Sequence, residues 1–249
     1  MKISIVTATF NSAPFIASCI DSVHEQTEID LEHIIIDGAS KDNTIEIIKS
    51  RPNRVKTIIS EPDKGIYDAM NKGIKLANGD IIGILNSDDF YASDNILAKI
   101  AQTFTTTNCD ALYGNLNFVA PTDTNKVIRH WKSSPFISGS FTKGWHPPHP
   151  TFFVKKEVYE KYGLFDTNLD VSADFELMLR FIEKNCIKVS FLDETIVKMR
   201  YGGESTGSLK KIIEGNRNIL RAFKKNGIKV SPFYPVLRLI PKLKQFISK

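Results

Sequence analysis

Along the first ninety residues, apolar positions fall in blocks instead of alternating singly. Residues 2–8, 33–37, 55–60 and 81–85 are short runs rich in Ile and Val, and they read as strands. Between them lie stretches whose apolar residues recur at helical spacing. In residues 14–26 these are Phe15, Ile16, Cys19, Ile20 and Val23, with Pro14 suited to a first turn. Residues 42–50 form a second such stretch. In residues 65–78, Ile66, Ala69, Met70, Ile74 and Ala77 share one stripe, and Asn78-Gly79 supplies a stop. The predicted order is β-α-β-α-β-α-β. Strands that are apolar on both faces are covered on both faces, which argues for a parallel sheet flanked by helices. Ligands in such sheets bind beyond the carboxyl ends of the strands.

The second half is less regular. Residues 111–119, 127–131, 151–154, 187–192 and 195–201 read as strands, and residues 172–184 and 209–225 as helices. GWHPPHP, residues 144–150, is a stiff loop. No repeat or low-complexity linker separates the halves. The expectation is a single α/β domain over residues 1–230, with a ligand half (1–115), a less regular half (116–230) and a tail (231–249). The chain has 249 residues, 42% of them apolar, enough for one substantial core. Its net charge of +5, from 33 basic and 28 acidic residues, gives no nucleic-acid signature. Cys19, Cys109 and Cys186 are scattered without a CxxC pair, as in a reduced cytoplasmic protein. No run of about 18 apolar residues suggests a membrane span.

The polar residues at the strand ends carry the candidate chemistry. TATFN (7–11), DGASKDNT (37–44), EPDKG (61–65) and NSDDF (86–90) follow the four strands in turn. They bring Asp37, Glu61, Asp63, Asp88 and Asp89 to one rim. Like charges so gathered disfavour one another. A hard divalent cation relieves this, and Mg2+ pairs one or two carboxylates with phosphates. The rim therefore suits a metal–diphosphate, although any α/β protein has polar loops at these places. There is no GxGxxG after the first strand and no GxxxxGK[ST], which argues against dinucleotide enzymes and P-loop NTPases.

IVTATFNSAPFIASCIDSV, HIIIDGASKDNT, SEPDKGIYDAMNKGIKLANGDIIGILNSDD and SADFELMLRF together resemble the inverting family 2 glycosyltransferases of the GT-A fold, over about residues 1–205. The resemblance implies a Rossmann-like, mostly parallel sheet and transfer of a sugar from a nucleotide-sugar donor, with UDP-sugars favoured. It places Thr7, Thr9 and Asn11 at the nucleotide and Asp37 at the base, with Ser40 and Asp42 in the same loop. It places Asp63 near base and ribose, with Asn71 and Lys72 beside it. It further implies that Asp88 meets the ribose and that Asp89 binds Mg2+ or Mn2+. Many members carry a third acid where this chain has Ser87, so metal binding rests on Asp89.

Inverting transfer needs a base for the acceptor hydroxyl. The resemblance assigns this role to Asp174, with Arg180 six residues on and Glu176 as the second choice. Asp174 also suits a helix N-terminus for structural reasons. His149 is expected on the acceptor or diphosphate side, and a His146–His149 zinc pair lacks a third ligand. Ser205, in the loop 201–207, either donates to phosphate or caps the next helix. The tail carries Arg238, Lys242, Lys244 and Lys249 with interspersed apolar residues, as in segments that lie on anionic membranes. The resulting expectation is a cytoplasmic enzyme, peripheral on the inner membrane, acting on a lipid-linked or saccharide acceptor in bacterial exopolysaccharide or lipopolysaccharide synthesis. A sugar nucleotidyltransferase and a non-catalytic nucleotide-sugar or glycan-binding module are the alternatives.

Overall fold

The computed structural model of the chain describes residues 1–202 and 209–238. Its elements are β1 (Lys2–Thr9), α1 (Ile16–His24), β2 (Asp30–Asp37), α2 (Thr44–Ser50), β3 (Val55–Ser60), α3 (Ile66–Leu76), β4 (Ile81–Ile84), β5 (Phe90–Tyr91), α4 (Ile96–Thr107), β6 (Ala111–Val119), β7 (Val127–Trp131), β8 (Phe153–Lys155), α5 (Lys156–Tyr162), α6 (Ala173–Met178), β9 (Val189–Arg200), α7 (Leu209–Lys225) and α8 (Tyr234–Leu237). One sheet runs through the molecule in the order β3-β2-β1-β4-β8-β6-β9-β5, with β7 attached to β6. The four expected strands pair in parallel, β1 lying between β2 and β4, and β3 outside β2. β8 then enters antiparallel between β4 and β6, and β9 pairs parallel with β6. The sheet is mostly parallel, with helices on both faces.

Burial follows the strand period. Along β1, Ile3 and Ile5 join a core with α1 and α4, while Val6 and Ala8 face the opposite core. That second core holds α3 residues Ala69, Met70 and Ile74 together with Phe175, Phe223 and Tyr234 from the chain's second half. The halves therefore share apolar packing.

Three differences from the sequence pattern stand out. Residues 187–192 and 195–201 belong to one strand. Asp193 and Glu194, which read as a turn, fall where Leu192 pairs Gly114 and Thr195 pairs Asn115, so the acids sit in a bulge. The pattern also contained α4, with Ile96, Leu97, Ile100 and Phe104 buried on one face. Its threonine-rich end, TFTTT, has weak helix propensity and hid the periodicity. Residues expected as one helix over 172–184 form α6 and then a wider π-type turn, Leu179–Lys184.

Helix α3 joins the halves. At Gly73 it lies directly on β1, where an added Cβ would fall 2.2 Å from Val6 Cγ1. Two residues earlier, buried Asn71 donates through Nδ2 to the Phe165 carbonyl at 2.9 Å and accepts from the Phe165 N–H through Oδ1 at 3.0 Å. The Tyr67 ring stacks on the Phe165 ring, with centroids 5.5 Å apart. Among the described residues no helix is long and apolar enough to cross a membrane.

Asn71→Ala removes both hydrogen bonds and leaves the Phe165 N–H and C=O buried without partners. Unfolding in urea should show a loss of about 2–6 kcal/mol, taking 1–3 kcal/mol for each of the two buried groups left unsatisfied. A loss below about 0.5 kcal/mol would mean that the clamp is dispensable.

Candidate active site

The rim is built from the carboxyl ends of β1, β2, β3 and β4. Asp37, the last residue of β2, is fully buried. Its Oδ2 accepts from the Ser40 N–H at 3.0 Å and the Ser60 hydroxyl at 2.6 Å, and its Oδ1 accepts from the Ser40 hydroxyl. Ser40 in turn takes the Asn11 N–H at 2.8 Å, while Asn11 Oδ1 takes the Lys41 N–H at 2.8 Å. Asn11 adopts a left-handed φ of 49° to make this turn. Asp42 accepts from the Ala13 N–H at 3.0 Å and from the Thr44 hydroxyl and N–H at 2.6 and 3.1 Å, which holds its pKa below the ordinary carboxylate value. Asp42 thus pins the start of α2 to the loop after β1.

Several expected nucleotide contacts point elsewhere. Thr7 is completely buried and pairs with His33 Nε2 at 2.9 Å, beneath the rim. Burial also pushes the His33 pKa down to about 3. Asn71 is committed to Phe165. Lys72 is held by Asp63 at 2.6 Å and Glu61 at 2.7 Å, with Asp68 at 3.7 Å, so its pKa is raised by these carboxylates. Thr9, by contrast, has a buried hydroxyl with no partner. Sequence reading passed over Phe10, which is 61% exposed. A Cβ placed on Gly38 would lie 3.4 Å from Phe10 Cδ2 and 3.5 Å from Asp63 Oδ2, so these groups converge. The signal was an aromatic residue inside an otherwise polar strand-end loop.

The turn after β4 separates the adjacent carboxylates. Asp88 is half-buried, whereas Asp89 is completely enclosed. Asn86 Nδ2 donates to Asp89 Oδ2 at 3.3 Å, but Asp89 Oδ1 and Asn86 Oδ1 are buried without a partner. Burial, and then the Asp88 charge, push the Asp89 pKa well above the ordinary carboxylate range. Ser87, where a third acid was expected, exchanges a hydrogen bond with Ser12 at 2.8 Å. Arg200, at the end of β9, donates to the Asp88 carbonyl and to the Ser18 hydroxyl at 2.8 Å, and it lies over the Phe15 and Phe90 rings. Nothing in the sequence pattern singled it out. Among the described residues no group of three His, Cys, Asp or Glu is arranged to hold a metal.

Asp174 lies in the first turn of α6, after Ser172 in left-handed conformation (φ 73°). Tyr67, from the first turn of α3, donates its hydroxyl to Asp174 Oδ1 at 3.1 Å. His149 Nδ1 lies 3.0 Å from Asp174 Oδ2. The structure therefore joins Asp174 and His149. It does not bring Arg180 to them. Arg180 donates to the carbonyls of Tyr162, Gly163 (3.1 Å) and Leu164 (2.7 Å) and pairs with Glu176 at 3.2 Å. Arg180 closes a loop and does not reach toward an acceptor. Glu176 is fully buried and also accepts from Asn226 Nδ2 at 3.1 Å, so it is not an accessible base. His146 Nδ1 faces the Pro147 carbonyl at 3.1 Å, and its ring packs on Trp131 and Phe175. Ser205 lies outside the described residues.

The tail does not begin at residue 231. Tyr234 is buried against Phe223, their ring centroids 4.9 Å apart. The Arg238 Cα sits 2.7 Å from where a Cβ on Gly144 would be. Burial lowers the Arg238 pKa, and the nearby Asp174 charge partly restores it.

A model of glycosyl transferase family 2 matches residues 4–163, more than half of the chain. A PGL/p-HBAD biosynthesis glycosyltransferase of Mycobacterium bovis is 27% identical over 213 residues, covering 84% of this chain and 80% of its own. The hyaluronan synthase of Pasteurella multocida is also 27% identical over 213 residues, which make up 21% of that longer protein. Among solved structures, S. aureus TarS 1-349 in complex with UDP-GlcNAc aligns over all of this chain and 73% of its own, with a TM-score of 0.69 and 17% identity. Against the longer TarS structure the chain spans 44% of the length. The mannosyltransferase PcManGT from Pyrobaculum calidifontis, in complex with GDP-Man and Mn2+, aligns over 97% of this chain and 69% of its own, with a TM-score of 0.65 and 22% identity. These structures establish the shared GT-A fold.

A buried acid with a raised pKa favours the folded state when it is protonated, and this benefit is lost as pH rises through the folded pKa. Asp89→Asn should therefore melt higher than the parent chain at pH 8, by about 2–4 °C per kcal/mol of repulsion relieved. The difference should shrink as pH falls toward the ordinary carboxylate value of 3.8. An equal difference at every pH would refute the electrostatic account.

Proposed function

Because the chain belongs to glycosyl transferase family 2 and is a glycosyltransferase, we propose that it transfers a sugar, with inversion, from a nucleoside-diphosphate sugar to an acceptor hydroxyl deprotonated by Asp174. One observation carries this reading. A partly exposed carboxylate on the second half lies within hydrogen-bond reach of α3, the helix that follows the third strand-end loop of the rim. That supports the reading of Asp174 as a base across from a nucleotide site.

In this reading the nucleobase stacks on Phe10, beside Asp63 and above the Asp37–Ser40 turn. The unpartnered Thr9 hydroxyl and the Asn11 loop complete the cradle. UDP is the favoured nucleotide. Asp42 and Lys72 hold the cradle's loops instead of touching the donor. The buried oxygens of Asn86 and Asp89 that lack donors suit a nearby cation. Mg2+ or Mn2+ needs only one or two carboxylates when phosphates supply the rest, so the absence of a three-ligand cluster is compatible with it. In this reading Asp89, whose enclosed Oδ1 lacks a donor, is the carboxylate on the metal side, and Asp88 lies toward the ribose. When bound, the metal would offset the charge on the departing nucleoside diphosphate. His149 lines the acceptor side.

A transfer assay over a panel of UDP-, GDP- and dTDP-sugars, with and without Mn2+, tests this. One donor should turn over in a metal-dependent way, releasing a nucleoside diphosphate. Asp174→Asn should lower kcat by about 10²–10⁴-fold, the range general base catalysis supplies. Release of pyrophosphate, or full activity in Asp174→Asn, would sink the proposal.

The acceptor in this reading is saccharide or lipid-linked, and residues 239–249, with Lys242, Lys244 and Lys249, supply contact with an anionic inner-membrane surface. Deleting residues 239–249 should shift the protein from the membrane to the soluble fraction without changing donor affinity. An unchanged distribution would rule this contact out.

A further inference from the structure

We propose that Tyr67 and His149 are positioning residues for Asp174, and that Tyr67 ties the orientation of the base to the donor-side loop 61–65. This rests on the reading of Asp174 as the base and adds how its carboxylate is aimed. The two contacts come from opposite halves of the molecule. Tyr67 belongs to α3 and reaches Oδ1 at 3.1 Å, while His149 belongs to the Pro-rich loop before β8 and reaches Oδ2 at 3.0 Å. Each carboxylate oxygen thus has one partner, which fixes the rotation of the carboxyl plane and leaves each oxygen lone-pair capacity for a substrate hydroxyl.

The Tyr67 side of the clamp is rigid. Its ring is held against Phe165. Burial, and then the Asp174 charge, push its pKa well above the ordinary phenol value, so it stays protonated and remains a donor. It does not compete for the acceptor's proton.

The same helix is one piece with the loop that precedes it. Gly65, with a φ of +103° that an L side chain rarely adopts, starts α3, and its carbonyl accepts the Asp68 N–H at 3.1 Å. The Lys64 N–H donates to Asp68 Oδ2 at 3.1 Å. Lys72, two turns into the helix, reaches back to Glu61 and Asp63. A donor that seats the 61–65 loop therefore also sets Tyr67, and through it Asp174. Among the described residues, the titratable groups in contact with the carboxylate are Tyr67 from α3 and His149 from the loop before β8, and the Arg238 charge, after α8, interacts with it electrostatically.

The test uses the full chain with the donor found by the panel above. Tyr67→Phe keeps the ring and removes only the donated hydrogen bond. It should lower kcat about tenfold or more, the usual effect of losing a hydrogen bond to a charged group, and leave the donor KM within about twofold, because the lost contact acts on the base and not on donor binding. Without that donor the charged carboxylate is less favoured, so the acid limb of the kcat–pH profile should move to higher pH. His149→Asn retains a side-chain N–H near the position of Nδ1 and should keep more activity than His149→Ala. Unchanged kcat and an unmoved acid limb in Tyr67→Phe, or equal activity in His149→Asn and His149→Ala, would overturn the clamp. Equal turnover by the parent and Asp174→Asn would instead place the failure in the base assignment.

Discussion

The side-chain amide of Asn71 satisfies both the N–H and the C=O of Phe165, and much of the molecule's organisation depends on that pair of bonds. It fastens the helix behind the nucleotide rim to the irregular segment that leads into α6. Buried backbone groups in an irregular segment have no ladder to satisfy them, so a side chain supplied from the other half does so. The Tyr67–Phe165 stack and the Tyr67–Asp174 hydrogen bond lie on the same helix face, one turn earlier. A single helix thus carries both the loop 61–65 at its start and the hydroxyl that meets Asp174.

The acids of the rim are handled by different means. Asp37 and Asp42 accept from nearby hydroxyls and backbone N–H groups. Asp63 and Glu61 share Lys72. Hydrogen bonds and ion pairs within the protein therefore relieve most of the charge that the sequence gathers here. The turn after β4 differs, because oxygens of Asn86 and Asp89 remain enclosed without donors. The Arg200 guanidinium, close behind, is tied to the Asp88 backbone and to Ser18. Among the described residues of the rim, the buried oxygens left without a partner are those of Asn86 and Asp89 and the Thr9 hydroxyl.

The parallel half was legible because its strands are solidly apolar and its helices periodic. The order β-α-β-α-β-α-β and the rim of strand-end loops followed from that pattern. The second half was harder to read, since β8 enters antiparallel between strands distant in sequence and a bulge at Asp193–Glu194 imitates a turn. Within the site, the motifs of the family resemblance pointed to Asp174 and His149, which meet. They did not reveal direction. Thr7 and Thr9 are two apart on β1, yet Thr7 is bonded beneath the rim while the Thr9 hydroxyl lacks a partner. Asn71, Lys72 and Arg180 sit at suggestive positions and are committed to Phe165, to Glu61 and Asp63, and to the carbonyls of residues 162–164. Side-chain commitments of this kind depend on partners that are remote in sequence, and no local pattern encodes them.

The contact of Gly73 with Val6 gives the cleft its gauge. β1 carries Thr9 and the start of the rim, while α3 carries Tyr67, and the two elements approach as closely as they do because position 73 has no side chain. The span from the rim to Asp174 is therefore measured through two regular elements in direct contact, not through a loop. A side chain at position 73 would push those elements apart and widen that span.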